Sequence, residues 1–401
     1  MSTLILGGGI SALSAAHVLL KKDPKRKITL LEKQNQLGGW IQTRKEAGFL
    51  FEQGPRTFQR NSCRSLLDLI REVGLEDELI FSDPGKRYLW HQGRLHSIAS
   101  FVPSLIPSLI REPFVAQGYW DDESIYEFAS RRFSPKVATT FFDPLTLGIF
   151  AGDIHKLSIR SCFPKFFEWE REKGSVMKGM FSFKKRGASG LFTLRGGMGR
   201  LIQKLATQLP IEVVLNCEVE AIETDGVFAG GKKWTADQIL SALPLSCIGR
   251  LGGEELSMNS IYVVNLVYPD PGLSKKGFGY LVPSEEHQSL LGMIWDSAVF
   301  PQQNLSNETR LTAMVRSTDS DPLQTALQAA RTHLGIEQEP LHTSLFFAKD
   351  AIPQFEVGYA KRLAAFEERL KKRWPALTLL GNYFGGASVE AAIQRSYTQT
   401  S

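Results

Sequence analysis

The sequence predicts an α/β fold in which a discontinuous Rossmann-like domain is interrupted by a helical segment and an antiparallel sheet. Three observations predict it. A βαβ pattern with a glycine-rich first turn opens the chain at residues 3–33, a helix-and-strand block follows at 198–244, and four alternating apolar segments lie between 260 and 316. A chain of 401 residues suffices for two or three folding units, and 43% hydrophobic residues support ordinary packed cores.

The opening stretch "TLILGGGISALSAAHVLL" reads as a buried strand at 3–7 and a helix at 10–22, with "KITLLEK" (27–33) as the second strand. "KKDPKRK" (21–27) between them reads as a solvated helix end and turn. The block "MGRLIQKLATQL", "IEVVLN", "EVEAIET" and "QILSALP" reads as a return to the first sheet. Residues 85–190 are aromatic-rich and helix-like, as in "DESIYEFASRRF" (122–133), and "KRGASG" (185–190) is the best linker. The segments 260–268, 277–283, 290–296 and 310–316 read as antiparallel strands. A charged helix, the short strand "LTLLGN", a glycine turn and a last helix close the chain.

The net charge of +5 is too small and dispersed to argue for nucleic acid. Cys63, Cys162, Cys217 and Cys247 have no zinc-like spacing and suit a reducing compartment. The seven histidines include no HxxxH or HExxH pair, so no metal is expected. With no cleavable leader before the first strand, a cytoplasmic location is expected. The most membrane-like stretch, 95–114, is interrupted by Pro103, Pro107 and Pro113 and cannot form a simple transmembrane helix.

In the first turn Gly7 permits the tight bend, Gly9 lets backbone approach a pyrophosphate, and Ala12 sits where helix meets strand and need only be small. The helix start, with Gly8, Ile10 and Ser11, supplies free N–H groups and a favourable dipole. Glu32 follows Ala12 by twenty residues, the spacing of an acid that accepts ribose hydroxyls. Nicotinamide and flavin dinucleotides both satisfy this pattern. A second glycine turn, Leu37-Gly38-Gly39-Trp40, and then "FEQGPRT" (51–57) favour FAD, because flavin proteins of the amine oxidase superfamily run the chain back along the cofactor in this way. "LLGNYFGGASVEAAI" (379–393) is similar to the element that closes such a flavin site.

Across nearly its whole length the sequence resembles the oxygen-dependent protoporphyrinogen oxidase family. The resemblance rests on "LGGWIQT" with "FEQGPR", on "KRYLW" (86–90), "GIFAGDIHKLSIRSCFP" (148–164), "KGFGYLVPSEE" (276–286), "WDSAVFP" (295–301) and "IPQF" (352–355). It implies a discontinuous Rossmann-like FAD-binding domain (1–85, 191–245 and 375–401), an α-helical membrane-associated subdomain (86–190) and an antiparallel-sheet substrate-binding domain (246–374). Position by position it implies FAD contacts at Gly7, Gly8, Gly9, Ile10, Ser11, Ala12, Glu32, Lys33, Trp40, Gly54, Pro55, Arg56, Thr57, Val219, Gly386, Ala387 and Ser388. No cysteine lies beside the last glycine turn, so the FAD is expected to be non-covalent.

For substrate, the resemblance implies that Arg87 holds a porphyrinogen propionate and that Gly148, Phe278, Leu281 and Ile294 line a tetrapyrrole pocket. Without it, Arg87 reads as a surface arginine and the three apolar residues as strand core. The implied chemistry is hydride abstraction by flavin in three two-electron steps, with O2 reduced to H2O2 and no catalytic protein base. Peripheral contact with a membrane and hand-off of product to ferrochelatase are further options that the family raises. Ala360, Ala391 and Ser396 depart from the family pattern, which commonly has an aromatic, an acid and a glycine there. The competing readings are coproporphyrinogen III as substrate, an amine or carotenoid oxidase, and a non-catalytic flavin- and porphyrin-binding partner protein.

Overall fold

The computed structural model describes residues 1–182, 189–269 and 273–400. Residues 185–188 of the expected linker lie outside them.

β1 (Ser2–Leu6), α1 (Ile10–Lys22) and β2 (Lys27–Leu31) form the opening unit. Leu4, Ile5 and Leu6 are buried without alternation, because a parallel strand between two layers meets apolar neighbours on both faces. The five-stranded parallel sheet runs in the order Glu212–Val214, β2, β1, Gln238–Ser241, Leu377–Leu379. The later block therefore returns to the first sheet as expected, with one correction. Val219–Glu223 leaves it and pairs with Gly226–Ala229 in a separate three-stranded sheet. A short turn closes that pairing locally, at less loop-closure cost than a return to a distant edge.

The second large sheet has seven strands, in the order His342–Pro353, Met258–Tyr268, Thr309–Arg316, Leu290–Ile294, Gly279–Leu281, Tyr88–His91, Arg94–Ser97. The four strands expected from alternation are all present. The last two extend the sheet with residues expected in the helical segment. Tyr88, Leu89 and Trp90 are buried in succession, and Gln92 and Gly93 take positive φ (49° and 75°), as a tight two-residue hairpin turn requires.

The sheet's two faces differ. One packs Val264, Leu266, Met293, Leu311, Ala313 and Val315 against helix Pro322–Leu334. The other carries Ile261, Val263, Leu291 and Ala348 against Leu147 and Ala151, with Trp40, Met314 and Phe346 only half-buried. This second face is incompletely filled by protein.

In the helical segment, Ile125–Arg132 begins with a reciprocal capping box between Ser124 and Glu127. Arg132 is fully buried against Glu112, which also accepts the Val176 N–H at 2.8 Å and the Met177 N–H at 3.1 Å. That pairing ties three helices together. Helix Val102–Arg111 carries Pro103 in its first turn and continues through Pro107, forfeiting one backbone bond. Among the described residues no helix is long and apolar enough to cross a membrane.

Candidate active site

The glycine loop is held by backbone packing. Gly7 takes φ +91°, and a Cβ on it would stand 3.0 Å from the Ala242 carbonyl. Gly8 donates its N–H to Glu32 Oε2 at 2.6 Å, while the Gln34 N–H reaches Oε1 at 2.7 Å. A Cβ on Gly8 would fall 2.4 Å from Leu37. The second glycine turn thus lies directly on the first: Gly38 donates its N–H to the Gly8 carbonyl at 2.9 Å, and a Cβ on Gly39 would sit 3.3 Å from Gly9 Cα. Gly9 caps α1 without a side-chain partner, leaving the N–H groups around Ile10 and Ser11 for an anion. Ala12 is fully buried beneath them.

Glu32 lies at the end of β2, where its carbonyl accepts the Cys217 N–H at 2.8 Å. Lys33 is exposed and pairs with Glu218 at 2.7 Å. Val219 is buried at the start of its strand, so Glu32, Lys33 and Val219 converge on one end of the loop. An acid beside glycine-cleared backbone and free helix amides fits the adenosine and pyrophosphate of FAD.

A Cβ on Gly54 would lie 1.8 Å from the Trp40 carbonyl, which is why this position holds glycine. Pro55 is exposed and Thr57 half-buried. Arg56 is buried: it donates to the Glu52 carbonyl at 2.8 Å and to the Thr312 hydroxyl, and lies 3.6 Å from Asp296. Glu52 accepts the Met198 N–H at 2.6 Å and the Thr43 hydroxyl at 2.8 Å. Burial pushes its carboxyl up to about 7, against the opposing pull of Met198, Thr43 and Arg56. Sequence reading missed Glu52, Thr312 and Asp296 as partners of Arg56.

At the closing turn Gly385 and Gly386 take φ of +68° and +113°, and nothing lies within 4 Å of a Cβ on Gly386. Ala387 is half-buried, and Ser388 accepts the Ala391 N–H at 3.1 Å. The last helix, Val389–Thr400, is fixed to α1 by Ser396, whose hydroxyl donates to the Ser11 carbonyl at 2.9 Å. The expected departure at Ser396 is thus a hydrogen bond between the two helices. Glu390 accepts the N–H groups of Ser65 and Leu66, each at 2.9 Å.

Of the expected substrate residues, Gly148 and Leu281 meet beside the underfilled sheet face, whereas Phe278 and Ile294 pack next to it against Ile80, Leu191, Val299 and Phe300. Cross-strand partners share a face. One row runs Gly279, Ile294, Thr312, Asn265, and the next Leu89, Leu281, Gly292, Met314, Val263, Phe346. Arg87, one residue before the Tyr88–Tyr280 pair, continues the first row. Its exposed guanidinium lies 5.4 Å from the half-buried Phe278 ring. Gly148 faces Leu281, whose Cδ2 would be 2.6 Å from a Cβ there. Met314 and Phe346 belong to the same wall and were not singled out from sequence, where they read only as strand residues. Among the described residues no cluster of side chains suits a metal.

The family model for flavin containing amine oxidoreductase matches residues 10–398. A protoporphyrinogen oxidase of Bos taurus is 32% identical, over 98% of this chain and 96% of its own length. A coproporphyrinogen III oxidase of Bacillus subtilis (strain 168) is 26% identical, over 98% and 95%. A crystal structure from Exiguobacterium sp. 255-15 shares the fold, with a TM-score of 0.86 at 23% identity, covering all of this chain and 97% of its own.

Two outcomes follow from this geometry. Gly54→Ala forces a methyl group into the Trp40 carbonyl, so it is expected to destabilise the protein by about 1–3 kcal/mol and to release FAD on gel filtration. For Glu52, the raised value means the folded state binds the extra proton between the ordinary glutamate value and about 7. Stability associated with this group is complete below that window and is lost as pH rises through it. Tm should fall from about pH 5 to about pH 8, and Glu52→Gln should flatten that slope; an unchanged slope would count against the assignment.

Proposed function

This chain belongs to the flavin containing amine oxidoreductase family and is an FAD-dependent oxidoreductase, and we propose that it oxidises protoporphyrinogen IX to protoporphyrin IX in three two-electron steps of haem synthesis. The observation that supports the reading is an incompletely filled sheet face that meets Trp40, with Gly148 against Leu281 beside it, Ile294 in the adjoining row and Arg87 over Phe278 at its edge. When bound, FAD would supply hydride acceptance from a bridging methylene, with O2 as the terminal acceptor.

The protein's own task is positioning and exclusion of water. Glu32 and the glycine loop would hold the adenosine and phosphates, and the 54–57 and 386–388 turns would hold the flavin end. Arg87 fixes a propionate through a planar fork suited to carboxylates, while Leu281, Ile294 and Phe278 pack on the macrocycle. Gly148, lacking a side chain, leaves room for Leu281. Charge that develops on the substrate is delocalised by its own pyrrole nitrogens, so the wall needs no base. In this reading residues 1–85, 191–245 and 375–401 bind FAD and 246–374, extended by the 88–97 hairpin, bind substrate.

The helical segment fits a peripheral membrane contact on the cytoplasmic face, a setting that would favour hand-off of product to ferrochelatase. Val102, Ile106, Ile110 and Phe114, four residues apart, are exposed, Ile110 by 65% and Phe114 by 85%. Such a stripe suits shallow insertion among lipids. The protein should float with anionic liposomes at low salt, and Ile110→Asp with Phe114→Asp should abolish flotation; absence of flotation in the parent protein sinks the membrane reading.

The enzymatic reading is tested by adding protoporphyrinogen IX to the yellow protein in air and following porphyrin fluorescence. Arg87→Ala should raise KM about tenfold with the flavin spectrum intact. Flavin that porphyrinogen cannot bleach anaerobically would instead indicate a non-catalytic binding partner.

A further inference from the structure

Arg87 does not stand alone at the edge of the sheet. Lys86 and Arg87 lead into strand Tyr88–His91, and Lys275, Lys276 and Gly277 lead into its parallel neighbour Gly279–Leu281. Gly277 sets how closely the two segments approach, because a Cβ on it would lie 2.6 Å from the Lys86 carbonyl. That carbonyl accepts the Phe278 N–H at 2.9 Å, and the Tyr88 hydroxyl donates to the Lys276 carbonyl at 3.1 Å. Lys86, Arg87, Lys275 and Lys276 therefore leave two segments in backbone contact, beside the Phe278 ring over which the Arg87 guanidinium lies.

All four are exposed, and none makes an ion pair among the described residues. The acids nearby are occupied elsewhere. Asp83 accepts the Gly85 N–H at 3.3 Å, and Asp296 lies 3.6 Å from Arg56 and accepts the Thr312 hydroxyl at 2.6 Å. Glu285 and Glu286 face His91 at the far end of the strand. Asp270, in the loop before Lys275, lies outside the described residues.

Like charges on adjoining segments repel one another, and with no ion pair to offset the repulsion the cluster adds nothing to the fold. The same summed field attracts an anion before any contact is made. A porphyrinogen with two propionates on adjacent rings presents its negative charge on one side. The planar fork of Arg87 suits one carboxylate held in a fixed geometry, whereas ammonium groups on flexible stems attract charge without fixing it.

We propose that Lys86, Lys275 and Lys276 form a capture rim that draws the paired propionates toward Arg87 and sets the rate at which the slot fills; the inference rests on the porphyrinogen reading above. The rim thereby selects substrates whose carboxylates lie together on one side.

The test uses the FAD-loaded enzyme with protoporphyrinogen IX and with its dimethyl ester, which lacks the carboxylate charges. Lys86→Gln, Lys275→Gln and Lys276→Gln combined in one variant should lower kcat/KM for the free acid about fivefold at about 20 mM salt, through KM. The loss should vanish for the ester and, for the acid, at about 0.5 M salt, and arginine at the same three positions should restore the parent value. Stopped-flow association of protoporphyrin IX, which needs no turnover, should slow by a similar factor with its dissociation little changed, and an intact flavin spectrum shows that the variant is folded. An equal loss on acid and ester, a loss that persists at high salt, or no loss overturns the rim and leaves the porphyrinogen reading standing. A parent enzyme that turns over neither substrate refutes that reading and the rim with it.

Discussion

The contact on which the site depends is backbone against backbone. Gly8 and Gly9 on one turn meet Gly38 and Gly39 on the other, with the Gly38 N–H bonded to the Gly8 carbonyl and no side chain between them. Any Cβ at Gly8 would displace Leu37 or the Glu32 carboxylate. Because the turns touch, the position of Glu32 at the end of β2 also fixes where the chain leaves toward Trp40. Trp40 in turn sets Gly54, whose absent side chain admits the Trp40 carbonyl. One requirement for close approach thus propagates through two further segments, and a dinucleotide running along them meets main chain at each.

A second constraint joins this unit to the seven-stranded sheet. Arg56 leaves the Gly54 turn and reaches Thr312 in the middle of a strand that lies 256 residues later. Buried ion and dipole pairs of this kind add little net stability but are costly to break, so they fix registration more than they hold the fold together. Here registration matters because the row containing Thr312 also contains Ile294 and leads to Arg87. A slip of one residue would turn those side chains to the opposite face, against helix Pro322–Leu334.

Local signals were legible in the sequence, and non-local ones were not. The glycine loop, Ala12 and Glu32 could be read because their roles depend on neighbours within about thirty residues. The four central strands could be read from alternation. The 88–97 hairpin was missed although Gln92-Gly93 marks its turn, because its flanking strands are four residues each and lie among helical patterns. Glu52 and Arg56 looked like part of a cofactor motif. Their partners Met198, Thr312 and Asp296 come from strands and turns that only the tertiary fold brings together. The bond from Ser396 to Ser11 was illegible for the same reason: from sequence Ser396 reads only as a departure from the family pattern, whereas the helix-to-helix spacing turns it into a contact.

The composition of the slot wall shows how such a site divides its labour. Met314, Val263, Phe346, Leu281 and Ile294 present no ionisable group, the buried Glu52 carboxylate is turned toward Met198 and Thr43, and Asp296 is engaged by the Thr312 hydroxyl. A wall of this kind cannot move protons, but it lowers the local dielectric and so strengthens a charge pair made at its edge. Arginines belong at such an edge, because their pKa keeps them charged there and their forks select carboxylates. In the proposed reading, Arg87 at the edge would orient a flat, carboxylate-bearing substrate with its oxidisable carbon over the apolar floor. The strand that carries Thr312 and Met314 links the junction with Arg56 to that floor within three consecutive residues.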